Sequence, residues 1–249
     1  MEEFVDANLR GARFVRSDLS GVVMRAVDVQ GMDIDAPWLL DGESSLLVNG
    51  VDVAPLVEAE LNRRFPGRSL RRAGDPTGLR EAWSLLELAW AAAIDRASSM
   101  PDGAVDISVA GEWSFAQTLR HLVMATDVWL RRAVLGVTEP FHPLGMPHVE
   151  YETDGYDMSV FATGTPSFED VLAARRDRAG MVRDFLAGVT IEELAVPRSN
   201  PWDPSHPETT LTCVQVILEE EWEHLRFALR DLDAIAAAGA ATSPSPGAD

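Results

Sequence analysis

Apolar residues recur along this chain with two different periods, and the change of period divides it. Over residues 1–36, Phe4, Leu9, Phe14, Leu19, Met24, Val29 and Ile34 fall at a strict spacing of five, with Ala7, Ala12, Ser17, Val22 and Val27 two places ahead of most of them. A period of five suits neither an α-helix nor an alternating strand. From Asp75 onward the spacing becomes helical. Asp75 as N-cap and Pro76 behind it open a long helix with Leu79, Trp83, Leu86, Trp90, Ala93, Ile94 and Ala97 on one face, ending near Ser99. Ser114 and Gln117 form a capping box for a second, with Phe115, Leu119, Leu122, Ala125, Val128 and Trp129 inward. A third spans about Ser167 to Ala187, and a fourth contains Val214–Leu232, with Val214, Leu218, Leu225, Leu229 and Leu232 at helical spacing.

The intervening stretches read differently. Residues 37–74 form a connector, with a turn at Asp41-Gly42, a short apolar run ended by Asn49-Gly50, and one helix from Ala54 to Phe65 stopped by Pro66-Gly67. Residues 136–166 and 195–207 are rich in Pro and Gly and read as long loops, the kind that cover sites. Ala236 onward is Ala, Gly, Ser and Pro, and residues 237–249 read as a disordered tail. The domains expected are therefore 1–36, a connector over 37–74, a four-helix bundle over 75–236, and the tail.

Composition narrows the function. With 46% hydrophobic residues in 249, a sizeable core is available. A net charge of −19 argues against nucleic-acid or anionic-membrane partners, which require clustered Lys and Arg. One cysteine, Cys213, excludes an intrachain disulfide, suits a reducing cytoplasm and reads as a core thiol. The acidic start Met1-Glu2-Glu3 lacks the positive region of a signal peptide, and no apolar run approaches bilayer length.

The chemistry concentrates on the fourth helix, where Glu219, Glu220, Glu221, Glu223 and His224 crowd a segment that must also pack. Glu220 and His224 are one turn apart and can close on one ion; Glu221 and His224, at i and i+3, can do nearly the same. His121 lies beside the apolar face of the second helix, and His142, His148 and His206 lie on the long loops.

Two resemblances follow from these residues. FVDANLRGARFVRSDLSG resembles the pentapeptide-repeat family, which implies a short right-handed β-helix, here of too few coils to stand alone and so expected to lean on the main domain. GEWSFAQTLRHLVMATDVWLRRAVLG, PFHPLGMPH and HPETTLTCVQVILEEEWEHLRFALRDL together resemble the DinB family of four-helix metalloproteins. The fold implied is mainly α: a DinB-like bundle with a short N-terminal pentapeptide-repeat β-helix segment. The resemblance implies a divalent metal, zinc first and nickel, iron or manganese also compatible, held by His121, Glu220 and His224, with Glu221 as the alternative carboxylate. These meet only if the second and fourth helices pack side by side. His142, His148 and His206 become candidate pocket residues. Arg120 and Arg132 could meet an anionic substrate or be solvated surface charge.

Relatives of known activity use low-molecular-weight thiols. The activity implied is thus a cytoplasmic thiol S-transferase joining a thiol such as mycothiol to a small electrophile, as monomer or homodimer, with no nucleic-acid or membrane partner. The other reading is a non-catalytic metal-binding stress or interaction protein that docks through its pentapeptide coil.

Overall fold

In a computed structural model the chain is described over residues 3–39, 45–148 and 150–242. The expected turn at Asp41-Gly42 lies outside these residues. Two compact units are formed, Met1–Pro37 and Trp38–Asp249.

In the first unit the five-residue period has a backbone cause. A positive φ falls two places after each of the first six central apolar residues: Asp6, Gly11, Arg16, Gly21, Ala26 and Gly31. Each is a corner. Three of them are tight turns, in which the amides of Ala12, Val22 and Met32 donate to the carbonyls of Leu9, Leu19 and Val29. Glycine takes these left-handed corners without steric cost, while Asp6, Arg16 and Ala26 adopt the same region at a cost of about 1 kcal/mol each. The central residues, Phe4 to Ile34, are 47–64% exposed.

The second unit opens with a two-residue hairpin, β1 (Leu47–Val48) and β2 (Val51–Asp52), joined by Asn49-Gly50. Both turn residues have positive φ, 50° and 82°, as the tightest hairpin requires. Helix α1 (Ala54–Arg64) and a 3₁₀ turn (Arg68–Arg72) follow. Helix α2 is Pro76–Ser98, its first amides capped by the Asp75 carboxylate through Thr77 and Gly78. Helix α3 is Phe115–Thr126, with both halves of the Ser114–Gln117 capping box formed. It continues without a break as a π-helix, Asp127–Val134, where the sequence periodicity predicts ordinary α-helix. Helices α4 (Phe168–Gly188) and α5 (Ile191–Leu194) start on side-chain caps from Ser167 and Thr190. The 195–207 stretch is a second hairpin rather than a plain loop: β3 (Pro197–Ser199) pairs antiparallel with β4 (Pro207–Thr209). Helix α6 runs Thr210–Thr242, past the point at which a disordered tail is expected; the rest of that tail, 243–249, lies outside the described residues. Among these residues no helix is long and apolar enough to cross a membrane.

The four long helices close a ring in which α2 packs on α6, α6 on α3, α3 on α4 and α4 on α2. Leu79, Leu86, Leu119, Leu122, Val182, Leu186, Leu218 and Leu225 fill its interior. Cys213 is fully buried and burial pushes its thiol up to about 11, so it is an inert core residue.

Residues 54–74 prove to be more than a connector. Arg68 and Arg71, both 2% exposed, pair with Glu58 of α1 at 2.8 and 3.0 Å and with Glu223 and Glu219 of α6, each at 3.3 Å. The two guanidiniums clip α1 to α6. Burial raises the Glu58 pKa, but its bonds to Arg68 and Arg71 outweigh that and hold it at about 2, below its ordinary 4.5. With a depressed native pKa, the carboxylate contributes stability that is complete above pH about 4.5 and is lost as pH falls toward about 2. Thermal melts between pH 2 and 6 are expected to show wild type losing about 1–2 kcal/mol more than Glu58→Gln across that window. Parallel acid limbs would refute the clip.

Candidate metal centre

Packing α3 beside α6 decides which chemistry the two helices can share. His121 sits on the α3 face that meets α6, with its side chain 12% exposed. Its Nδ1 lies 3.1 Å from the carbonyl oxygen of Met146. A carbonyl only accepts, so Nδ1 carries a proton, and Nε2 is the nitrogen turned toward Glu220. The loop that supplies this carbonyl is itself fastened to α3: Arg120 Nε donates to the Leu144 carbonyl, and the Met146 amide donates to that of Arg120. Arg120 thus anchors the loop to α3.

Across the interface, His224 Nδ1 donates to the backbone carbonyl of Glu220 at 2.9 Å, one helical turn back, which leaves Nε2 of the neutral ring bare. Glu220 Oε2 lies 3.4 Å from both His121 Nε2 and His224 Nδ1. One ligand atom from each of His121, Glu220 and His224 falls within 4.8 Å of the others, the one such group among the described residues. The two imidazoles stack with centroids 4.7 Å apart, and the Trp113 indole covers both, at 4.5 Å from His121 and 6.1 Å from His224. Glu220, a third exposed, is the side on which the cluster meets solvent.

Protonation states follow from these surroundings. Burial lowers the His224 pKa and His121 lowers it further; despite the opposing pull of Glu220 it falls to about 4, so the ring is neutral at neutral pH. Burial works against the Glu220 anion, yet the His121 hydrogen bond and the field of both imidazoles hold its pKa at about 2. One ionised carboxylate and two imidazoles, each ring oriented by a hydrogen bond through its Nδ1, form a donor set suited to a divalent ion.

Glu221 faces elsewhere. It is 1% exposed and pairs with Arg175 of α4 at 2.5 Å in the bundle interior. Burial pushes its pKa up, and the Arg175 charge and hydrogen bond pull it back. Spacing along α6 leaves Glu220 and Glu221 as alternatives; the buried arginine separates them.

The loop histidines have three different fates. His142 is taken up by the fold: its amide donates to the buried Asp127 carboxylate at 2.7 Å, and its Nδ1 accepts from the Leu144 amide. Asp127 also receives Arg178 Nε of α4, tying the π-helix, the loop and α4 together. His206 is 78% exposed and pairs with Asp203 on its own hairpin. His148 lines a cleft of about 360 Å³ with Asp154, Tyr156 and Trp202, and its charge is felt at Glu220. Arg132 lines a smaller cleft of about 230 Å³ beside Ser199 and Asn200. The sequence reading gives no role to Trp113, Arg175 or Arg178; the one signal for Trp113 is an aromatic residue directly ahead of a helix cap.

A family model described as the DinB superfamily matches residues 85–228, which contain all three residues of the cluster. A second, for pentapeptide repeats, matches eight copies over residues 3–35. No curated protein and no solved structure matches the chain significantly.

Two substitutions separate a ligand from a structural acid. His224→Ala is expected to leave purified protein with less than about a tenth of the wild-type metal, since one of three donors is gone. Glu221→Gln is expected to keep full metal per folded molecule while losing about 3 kcal/mol of stability, because Arg175 is left buried without its counter-charge. Elemental analysis and chemical denaturation of the two variants check this; full occupancy in His224→Ala, or metal loss from folded Glu221→Gln, contradicts it.

Proposed function

The chain belongs to the DinB superfamily, whose model spans more than half of it, and we propose that it is a cytoplasmic, divalent-metal-dependent thiol S-transferase. The superfamily is generally metal-binding, and the observation that carries the reading is the convergence of His121, Glu220 and His224, with Glu220 ionised and His224 neutral. Zinc is the first candidate; nickel, iron and manganese accept the same donor set. The thiol is a low-molecular-weight one such as mycothiol, and the acceptor a small electrophile.

When bound, a divalent ion supplies Lewis acidity that favours the thiolate of a coordinated thiol at neutral pH. The residues of the chain prepare this. His224 stays neutral down to pH about 4, so protons do not compete for its lone pair in the working range. The Met146 and Glu220 carbonyls orient the two imidazoles through Nδ1. Trp113 walls the rings from water on one side, and the partly exposed Glu220 leaves the other open to a small molecule.

One observation favours the second reading, a non-catalytic interaction protein: Phe4, Phe14 and Met24 of the pentapeptide segment are 48–64% exposed, an apolar run of the sort that docks on partners. Turnover separates the two. Metal-loaded protein incubated with mycothiol and monochlorobimane is expected to form the bimane conjugate at least about 100-fold faster than buffer, an acceleration within the range of a positioned, activated nucleophile. His224→Ala is expected to return the rate to background. No acceleration across mycothiol, cysteine and glutathione would sink the transferase and leave the interaction protein.

A further inference from the structure

The cleft beside His148 has a chemistry of its own. Tyr151, 3% exposed, is the hub of an aromatic cluster in which Phe141, Tyr156, Phe161, Trp202 and His148 lie 4.8–6.4 Å from its ring. The outer members open onto the cleft: Trp202 and Tyr156, with centroids 5.3 Å apart and planes at 68°, supply two aromatic walls. At about 360 Å³ it is of the size that holds a small organic molecule.

Its lining sets one carboxylate, Asp154, beside one imidazole, His148. The segment Glu150–Asp157, EYETDGYD, carries four acids, two tyrosines and no Lys or Arg. Asp154 reaches the cleft with its side chain 54% exposed, and its one ion-pair contact there is His148 at 3.7 Å, too long for a good hydrogen bond. Among the described residues no Lys or Arg lines this cleft; Arg132 lines the other one. The whole chain, at −19, adds a field of the same sign.

Three ligand classes can be weighed against this. An anion meets the Asp154 carboxylate and, among the described lining residues, has His148 alone as a base to offset it. A neutral polyol uses the aromatic walls and the acceptor, but gains nothing from the surrounding charge. A cation gains from all three, because indole and phenol faces attract positive charge and Asp154 neutralises it. We propose that the cleft formed by His148, Asp154, Tyr156 and Trp202 binds an organic cation, a quaternary ammonium or protonated amine, with Trp202 and Tyr156 as the cage and Asp154 as counter-ion. It requires no thiol chemistry.

The test compares choline with 3,3-dimethyl-1-butanol, its uncharged isostere, by saturation-transfer NMR on the full chain. Choline is expected to bind at least about 10-fold more tightly, a ratio in keeping with a cation over aromatic faces beside a carboxylate. Asp154→Asn is expected to lose about 5-fold in choline affinity, with no change for the isostere and an unchanged melting temperature, since Asp154 is half exposed. Trp202→Leu is expected to weaken choline further, and if it unfolds, Asp154→Asn alone decides. Equal affinity for choline and its isostere, tighter binding of myo-inositol than of choline, or indifference to Asp154→Asn each overturns the proposal. These readouts involve no turnover, so a failed transferase assay leaves them standing, and the reverse also holds.

Discussion

Four carboxylates within five residues of a packed helix are the constraint around which the second unit is arranged. Left unpaired, each partly or fully buried carboxylate would cost several kcal/mol, more than a domain's net stability if summed. Successive residues of an α-helix point about 100° apart, so no single neighbour can answer all four. The chain answers them one by one. Glu219 meets Arg71 and Glu223 meets Arg68, both on the 3₁₀ turn after α1. Glu221 meets Arg175 on α4. Glu220 alone is given imidazoles in place of a guanidinium. Around this one helical turn, with Trp222 buried in its middle, the charges dictate which element lies on which side.

That difference in partner is what turns one acid of four into a candidate ligand. An arginine is a permanent cation and gives its carboxylate a fixed counter-charge. Imidazoles give no permanent charge and offer nitrogen donors of their own. The pKa directions agree: the His224 ring is pushed toward its neutral form while Glu220 is kept ionised, the combination in which neither donor must shed a proton to bind a metal.

Local signals in the sequence were legible and long-range ones were not. Asp75, Ser114, Ser167 and Thr190 each cap the helix that follows them, because a cap is a contact between residues two or three places apart. The Asn49-Gly50 turn has the same local origin. By contrast, Arg175 and Glu221 are separated by 46 residues and Arg68 and Glu223 by 155, and nothing in either neighbourhood names the other. Hence the stretch before α2 reads as a connector although Arg68 and Arg71 pair with acids of α1 and α6. The β3–β4 hairpin is hidden by Pro197 and Pro207 at its ends, residues that argue against strands wherever the edge is not visible. The π-helix after Thr126 is hidden because its apolar residues still fit a helical stripe; the buried Asp127, held by Arg178 and the His142 amide, accompanies the change of pitch.

The long loop ties these levels together. Its first part, His142 to Met146, is pinned to α3 through Arg120 and delivers the carbonyl that orients the His121 ring. Beyond Pro147 it contributes His148, Asp154 and Tyr156 to the aromatic cleft. The imidazole that α3 brings to α6 is positioned as much by the loop as by the bundle.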